Sequence, residues 1–266
     1  MLAITNGKVY TMAGQIIENG TILIENGKIK EVGESVSIPK DCEVIDAKGQ
    51  MVTPGIVDPH SHIGIGEEGI GWEGRDYNEM TDPITPHMRA IDGVYPCDLG
   101  FTEARQGGVT SVVTGPGSAN AIGGTFVALK TFGKRVENMI IKEPAAMKMA
   151  FGENVKRVYG AEKSKAPSTR MGIVACIREQ IYKTLEYIER QECGDPSKWP
   201  AFDMKCEALI PVVKGELTVK AHAHRSDDIF SAIRIAKEFD LNITLDHCTE
   251  GHLIADEIAG EGFSCI

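Results

Sequence analysis

The chain has 266 residues, 42% of them hydrophobic and 25% charged, which is the balance of a globular protein and excludes disorder as its main state. Its 28 basic and 38 acidic residues give a net charge of −10, which argues against a nucleic-acid groove or a polybasic membrane patch because both need clustered Lys and Arg. Apolar runs are too short to span a bilayer, and the first residues lack the pattern of a secretory signal. Seven cysteines without a Cys-x-x-Cys pair predict free thiols. We therefore expect a cytoplasmic protein that binds neither nucleic acid nor membrane.

Residues 1–53 have the pattern of β-structure. Short alternating apolar runs are separated by three Asn-Gly pairs, which are Asn6-Gly7, Asn19-Gly20 and Asn26-Gly27. Asn and Gly tolerate the positive φ that tight hairpin turns require, so each pair predicts a turn. We expect a small antiparallel sheet that forms one layer of a β-sandwich domain.

From residue 54 to residue 266, β-like runs alternate with helical periodicity, which predicts βα units. The predicted strands are Gly55–Pro59, Val109–Thr114, Ala145–Ala150, Leu217–His222 and Asn242–His247. The predicted helices are Gly172–Arg190, Asp227–Phe239 with Asp227 or Ser226 as its N-cap, and Leu253–Ala259. Asn154–Thr169 and Glu67–Pro96 are expected to be loops, the first of them exposed.

The last residues, Gly262–Ile266, have the pattern of one more buried strand. A closed (β/α)₈ barrel takes about 250 residues, and too few follow residue 53. We therefore expect an α/β fold in which residues 54–266 form an incomplete TIM-like (β/α)₈ barrel, with strands one to about seven and a missing C-terminus. The small β-sandwich part would precede this barrel.

Four of the seven histidines lie at the ends of predicted strands, where α/β proteins assemble their active sites. His60 and His62 are spaced i, i+2, so in an extended segment both rings point to the same side. Two imidazoles on one side of a strand end can chelate a divalent metal ion. The alternative is a pair of exposed loop histidines.

The segment Pro54-Gly55-Ile-Val57-Asp58-Pro-His60-Ser-His62 resembles the opening signature of the amidohydrolase superfamily of metal-dependent hydrolases. In that family a small β-sandwich leads through Pro-Gly-x-Val-Asp into barrel strand one, which ends in His-x-His. The general layout is similar to the imidazolonepropionase-like and dipeptidase-like branch. The resemblance implies further metal ligands at the ends of strands five and six, where this chain has His222 and His247, and it favours His224 as a substrate-binding residue.

The resemblance also implies a strand-four ligand, either a lysine carboxylated by CO₂ or a glutamate. Lys148 lies inside an apolar predicted strand, where a cation is costly to bury, and Glu143 lies close by. Lys148, Glu143 or neither therefore remain open, with Lys148 preferred. The family's catalytic aspartate ends strand eight, which is absent from this chain, so we expect the chain alone to be inactive. The glycine-rich Val113–Gly124 is expected to be a flexible loop near the site mouth.

The implied activity is hydrolysis of an amide, a dipeptide or another C–N bond in a small-molecule substrate by metal-activated water, with one or two divalent ions, zinc first. A deaminase on the same metal site and a non-catalytic assembly protein with the same fold are the alternatives. The sequence leaves open the substrate, the number of metal ions and whether the protein is a homo-oligomer. His87 has no strand context and is expected to be structural.

Overall fold

The first sheet contains five strands, all within residues 1–56. A computed structural model describes residues 1–266 and divides them into two units, Met1–Ile56 and Val57–Ile266. The strands of the first unit are β1 (Leu2–Tyr10), β2 (Ile16–Glu25), β3 (Lys28–Gly33), β4 (Glu43–Asp46) and β5 (Met51–Val52). β1, β2 and β3 are antiparallel neighbours as predicted, but β4 and β5 both pair with β1 in parallel. The predicted antiparallel sheet is therefore confirmed for β1 to β3 and wrong for β4 and β5.

Only one of the three Asn-Gly pairs makes a hairpin turn. Asn26-Gly27 joins β2 to β3, whereas the other two pairs lie inside β1 and β2. Gly7 and Gly20 face each other there beside register shifts that mark β-bulges. A Cβ on Gly20 would lie 2.6 Å from Cγ2 of Val9, so the small residue is needed for close packing within the sheet.

A second sheet of seven strands organises residues 57–266, and its order follows the chain from β6 to β12. The strands are β6 (Ile56–Ser61), β7 (Val109–Thr114), β8 (Ile122–Lys130), β9 (Ile140–Ala150), β10 (Val219–Ala223), β11 (Ile243–His247) and β12 (Ser264–Cys265). β9 to β12 are parallel neighbours. This curled half-barrel, with the separate small sheet, confirms the predicted α/β fold of an incomplete TIM-like barrel.

β8 departs from the parallel pattern, because it is antiparallel to both β7 and β9. The prediction of a flexible loop over Val113–Gly124 is therefore wrong at its second end, where β8 begins. Two of the four glycines that suggested a loop, Gly123 and Gly124, lie within this strand. Gly124 has φ +113°, and a Cβ there would lie 2.4 Å from the carbonyl oxygen of Met88, so a close backbone approach explains the residue.

Six α-helices accompany the second sheet: α1 (Leu99–Gln106), α2 (Glu153–Lys156), α3 (Arg170–Glu192), α4 (Met204–Val213), α5 (Ser226–Phe239) and α6 (Ala255–Glu261). Ile173, Ile177 and Ile181 of α3 are buried in the core that also contains the strands β9 to β11. The predicted side-chain cap of α5 is wrong, since its N-cap is Arg225 without a capping hydrogen bond. None of these helices combines the length and the apolar composition that a membrane-spanning helix requires.

The exposed loop predicted for Asn154–Thr169 is wrong over its first part. α2 continues into a π-helix over Arg157–Glu162, and Val155, Val158 and Tyr159 are buried. These three positions have the i, i+3, i+4 spacing of one helix face, which was the available signal among the many Lys and Ser residues. This helical segment brings Asn154 toward the end of β10.

Candidate active site

The predicted site residues gather at the carboxyl ends of the strands. His60 lies in β6 and His62 follows it directly, while Lys148, His222 and His247 lie near the ends of β9, β10 and β11. Because β9, β10 and β11 are parallel and in register, with Lys148 beside Lys220 and His222 beside Asp246, their carboxyl ends lie at one edge of the sheet.

The four candidate ligand rings form one continuous cluster. The ring centroids of His60 and His62 are 5.4 Å apart, those of His60 and His247 are 4.9 Å apart, and those of His247 and His222 are 4.7 Å apart. In this arrangement no three His, Cys, Asp or Glu side chains are placed to share one metal ion. A rotation of the rings within the cluster is therefore needed before they can act as ligands together.

His247 reaches the cluster through an unusual backbone. Strand alternation places Asp246 on the same side as its neighbour His222, which would turn His247 to the other side. The backbone of His247 instead has φ +74° and that of Cys248 has φ +41°, so the strand ends in two left-handed residues. Non-glycine residues in this region are strained, and such strain is concentrated at functional sites.

Lys148 is fully buried beside the histidines, and its Nζ lies 3.5 Å from Nε2 of His60. Glu143, the alternative on the same strand, pairs with Nε of Arg89 at 3.1 Å. Five residues of extended strand span about 16 Å, so the two candidates lie at different depths of the sheet. The geometry favours Lys148 over Glu143 as the group that accompanies the histidines.

Asp246 and Lys220 belong to the same cluster and were not predicted from the sequence. Oδ2 of Asp246 lies 2.6 Å from Nδ1 of His60, and its Oδ1 lies 3.3 Å from Nζ of Lys220. The Nζ atoms of Lys220 and Lys148 both lie over the ring of Phe126, at 5.8 and 5.7 Å from its centroid. The i, i+2 spacing of Lys220 and His222 was the signal that could have found this buried polar face.

Three buried polar atoms of the cluster have no hydrogen-bond partner, namely Nδ1 of His60, Nδ1 of His222 and Oδ2 of Asp246. Nδ1 of His60 and Oδ2 of Asp246 nevertheless lie 2.6 Å from each other, so of the three atoms only Nδ1 of His222 has no pairing contact. An unpaired buried polar group typically costs about 1–3 kcal/mol. A buried imidazole nitrogen without a partner, among several other imidazoles, fits a divalent metal ion, which would give it one.

Other contacts orient the rings from outside the cluster. Nδ1 of His62 lies 2.7 Å from the carbonyl oxygen of Gly115 and donates to it, which leaves Nε2 free. Nε2 of His222 contacts the side-chain amide of Asn154 at 3.0 Å, and Nδ1 of His224 contacts Oγ1 of Thr249 at 2.7 Å. A metal-binding histidine usually has its second nitrogen fixed in this way.

A solved structure, an amidohydrolase from Thermotoga maritima MSB8, has the same fold. The two proteins share 41% sequence identity over all of this chain and 69% of that chain, with a TM-score of 0.94. The chain belongs to the amidohydrolase family.

Curated relatives of this amidohydrolase agree with the assignment. Amidohydrolase tasK from Hapsidospora irregularis is 33% identical over 263 residues, which is 89% of this chain and 27% of that protein. A dihydroorotase from Geotalea daltonii is 33% identical over 141 residues, covering 51% of this chain and 31% of the relative. Residues 1–52 match the family described as NagA composite domain. The chain thus spans about a quarter to a third of the length of these two curated relatives.

Burial favours the neutral form of the four candidate ligand histidines. It lowers the pKa of His222 to about 2, helped by the nearby Lys148, and lowers the pKa of His62 and of His247 to about 4. Burial also lowers the pKa of His60, although Asp246 opposes the shift, and it lowers the pKa of Lys148 to about 8. Neutral imidazole is the form that binds metal, so the protonation state of these four histidines at neutral pH suits metal binding.

Of the three remaining histidines, one adjoins the cluster and two lie outside it. The ring of His224 lies 4.5 Å from that of His222, so this predicted substrate-binding residue adjoins the candidate ligands. His252 is exposed and contacts the carbonyl oxygen of Thr249 at 3.1 Å. His87 lies on the segment between β6 and α1 and has no ring contact with the cluster. Its predicted structural role stays a prediction.

Proposed function

We propose that this amidohydrolase is a metal-dependent hydrolase of an amide or other C–N bond in a small-molecule substrate. The observation that carries the proposal is the cluster of four neutral imidazoles around the buried Lys148 at the carboxyl edge of the sheet. Family membership supports related chemistry, because two relatives with matching sequence are named amidohydrolase and dihydroorotase, while a third is named 5-methylthioadenosine/S-adenosylhomocysteine deaminase.

His60, His62, His222 and His247 are the residues that would hold the metal, with Lys148 supplying an oxygen ligand once carboxylated by CO₂. Zinc is the ion that a set of several imidazoles suits best. A bound divalent ion of this kind would supply Lewis acidity toward a carbonyl oxygen and lower the pKa of a coordinated water toward neutrality.

The chain's own residues prepare the site for that group. Gly115 holds the Nδ1–H of His62, so the ring presents Nε2 to the cluster. Asp246 lies against Nδ1 of His60 and, together with Lys220, brings a carboxylate and an ammonium into the buried layer beneath the imidazoles. The ring of Phe126 lies 5.3 Å from that of His60 and helps exclude water from this layer. His224, at the edge of the cluster, is in position to contact a substrate.

Metal content tests the proposal directly. We expect the purified protein to contain zinc or a similar divalent metal by mass spectrometry, and the double variant His60→Ala, His62→Ala to lose it, because two of the four imidazoles are then absent. The matched control is His252→Ala, which removes an exposed histidine outside the cluster and should retain the metal.

Circular dichroism shows whether the double variant is folded. Undiminished metal in a folded double variant would contradict the metal centre. Activity is assayed with N-acyl amino acids and dipeptides as substrates and release of the free amine as the readout. This assay uses the full-length protein, because the chain alone is expected to be inactive. Absence of hydrolysis of any C–N bond in the panel by metal-loaded full-length protein would argue against the substrate class while leaving the metal centre in place.

A further inference from the structure

Asn154 lies beside one candidate ligand without being one. It is part of α2, just after β9, and its Nδ2 lies 3.0 Å from Nε2 of His222 and 3.2 Å from Oγ of Ser118. No other contact to Nε2 of His222 occurs, whereas Nδ1 of the same ring is buried and has no partner. The side-chain amide of Asn154 is therefore the one hydrogen-bond partner of the His222 ring.

The two orientations of this amide have different consequences. If Nδ2 donates to Nε2, the proton of the neutral ring is on Nδ1, where it is buried without an acceptor. A half-turn of the amide places Oδ1 against Nε2 at the same distance, so Nε2–H donates to Oδ1 and Nδ1 presents a lone pair. Oγ–H of Ser118 can then donate to the same Oδ1. The second orientation gives the ring proton an acceptor and leaves Nδ1 as a free ligand atom, whereas the first leaves a buried Nδ1–H without an acceptor.

We infer that Asn154 is a positioning residue for His222: its amide oxygen accepts the Nε2–H and holds the tautomer whose Nδ1 is free to bind the metal. The inference deepens the proposed function, and its metal-binding half rests on it. Gly115 acts on His62 in the opposite sense, since its carbonyl takes Nδ1–H and frees Nε2. The two rings would thus approach a shared ion through different nitrogens, each fixed by an acceptor outside the strand that carries the ring.

The tautomer can be measured without any metal. Long-range proton–nitrogen correlation spectra of the chelator-treated protein distinguish the protonated ring nitrogen from the unprotonated one, and the His222 signals are assigned by their loss in His222→Gln. We expect His222 to carry its proton on Nε2. A proton on Nδ1 would overturn the inference, whatever the metal content of the protein.

Metal affinity supplies the second test, measured by competition with a chromogenic zinc chelator. Asn154→Ala removes the acceptor and should weaken zinc binding about 10–100-fold, as expected when an outer partner of a ligand is lost. Asn154→Asp keeps an oxygen acceptor at the same place and should stay within about threefold of the unaltered protein, or bind more tightly. Equal losses in both variants, or no loss in Asn154→Ala, would refute the role.

Two controls separate positioning from a general structural effect. Ser118→Ala removes the other partner of Asn154 and should change affinity much less than Asn154→Ala. Asn242→Ala removes a comparable amide contact, 3.1 Å from Oγ1 of Thr218, at the far end of β10 and β11, and should leave affinity unchanged. If the unaltered protein binds no zinc, the proposed function fails, and the spectroscopic result still decides whether Asn154 sets the tautomer.

Discussion

The two units of this chain bury different kinds of side chain. Within residues 1–56 every buried side chain is apolar, as with Ala3, Val9 and Leu23, and no polar or charged side chain is buried. The second unit buries Lys148, Lys220, His222 and Asp246 at 3% exposure or less. Buried ionisable groups are costly, so a fold that needed only stability would resemble the first unit. The second unit accepts that cost in the layer beside the imidazole cluster, and also at Asp98 and Asp228, which have hydrogen-bond partners elsewhere.

The largest effect should come from breaking the charge pair of that layer. Asp246→Ala leaves Lys220 buried and unpaired, and removal of one partner of a buried pair typically costs about 3–5 kcal/mol. Urea unfolding followed by tryptophan fluorescence measures it, since both Trp72 and Trp199 lie in the second unit. The double variant Asp246→Leu, Lys220→Met leaves no unpaired charge and should recover most of the loss. If Asp246→Ala is as stable as the unaltered protein, the ion pair of Asp246 and Lys220 contributes little to the free energy of unfolding.

A metal ion should stabilise one unit and leave the other unchanged. At a zinc concentration of 100 times Kd, binding to the native state adds about 2.7 kcal/mol. Hydrogen exchange should show the added protection near the ends of β10 and β11 and none in β1 to β3, because all candidate ligands lie in the second unit. Removal of the zinc with EDTA should reverse the added protection. Equal protection of both units would contradict a metal centre confined to the histidine cluster.

The stability of the first unit should depend instead on the absence of a side chain at particular glycines. Gly20→Ala places a Cβ 2.6 Å from Cγ2 of Val9, and overpacking of this kind typically costs about 1–3 kcal/mol. Hydrogen exchange of β1 and β2 measures the loss. Val9→Ala in the same chain should restore part of it by removing the clashing methyl group, and Gly33→Ala, whose Cβ would lie 3.7 Å from the nearest atom, should be nearly neutral. A neutral Gly20→Ala would show that the bulge adjusts.

The sequence predicted best where a local pattern is enough. The i, i+2 spacing of His60 and His62 and the apolar stripe of α3 need no knowledge of tertiary contacts. Asp246 was missed because its neighbour His247 was expected to face the site, and the left-handed backbone at the end of β11 brings both residues to it. The local pattern of Asn6-Gly7 and Asn19-Gly20 predicts turns. Their actual role, which includes the close packing of Val9 against Gly20, depends on strand pairing and cannot be predicted from a local pattern. Asn154 could be related to His222 only through the helix that follows β9.

The reversed direction of β8 has a consequence for access to the site. The segment Gly115–Ala121 leaves the sheet at the end of β7 and re-enters it at the start of β8, beyond the last antiparallel pair of these two strands, Thr114 and Val127. Most of this segment is buried, and the side chains of Asn78 and Asn120 hold it to neighbouring loops. It is therefore built as a fixed wall rather than a lid. Any opening that admits a substrate must come from other loops at this edge, while the wall keeps the acceptor on His62 in place.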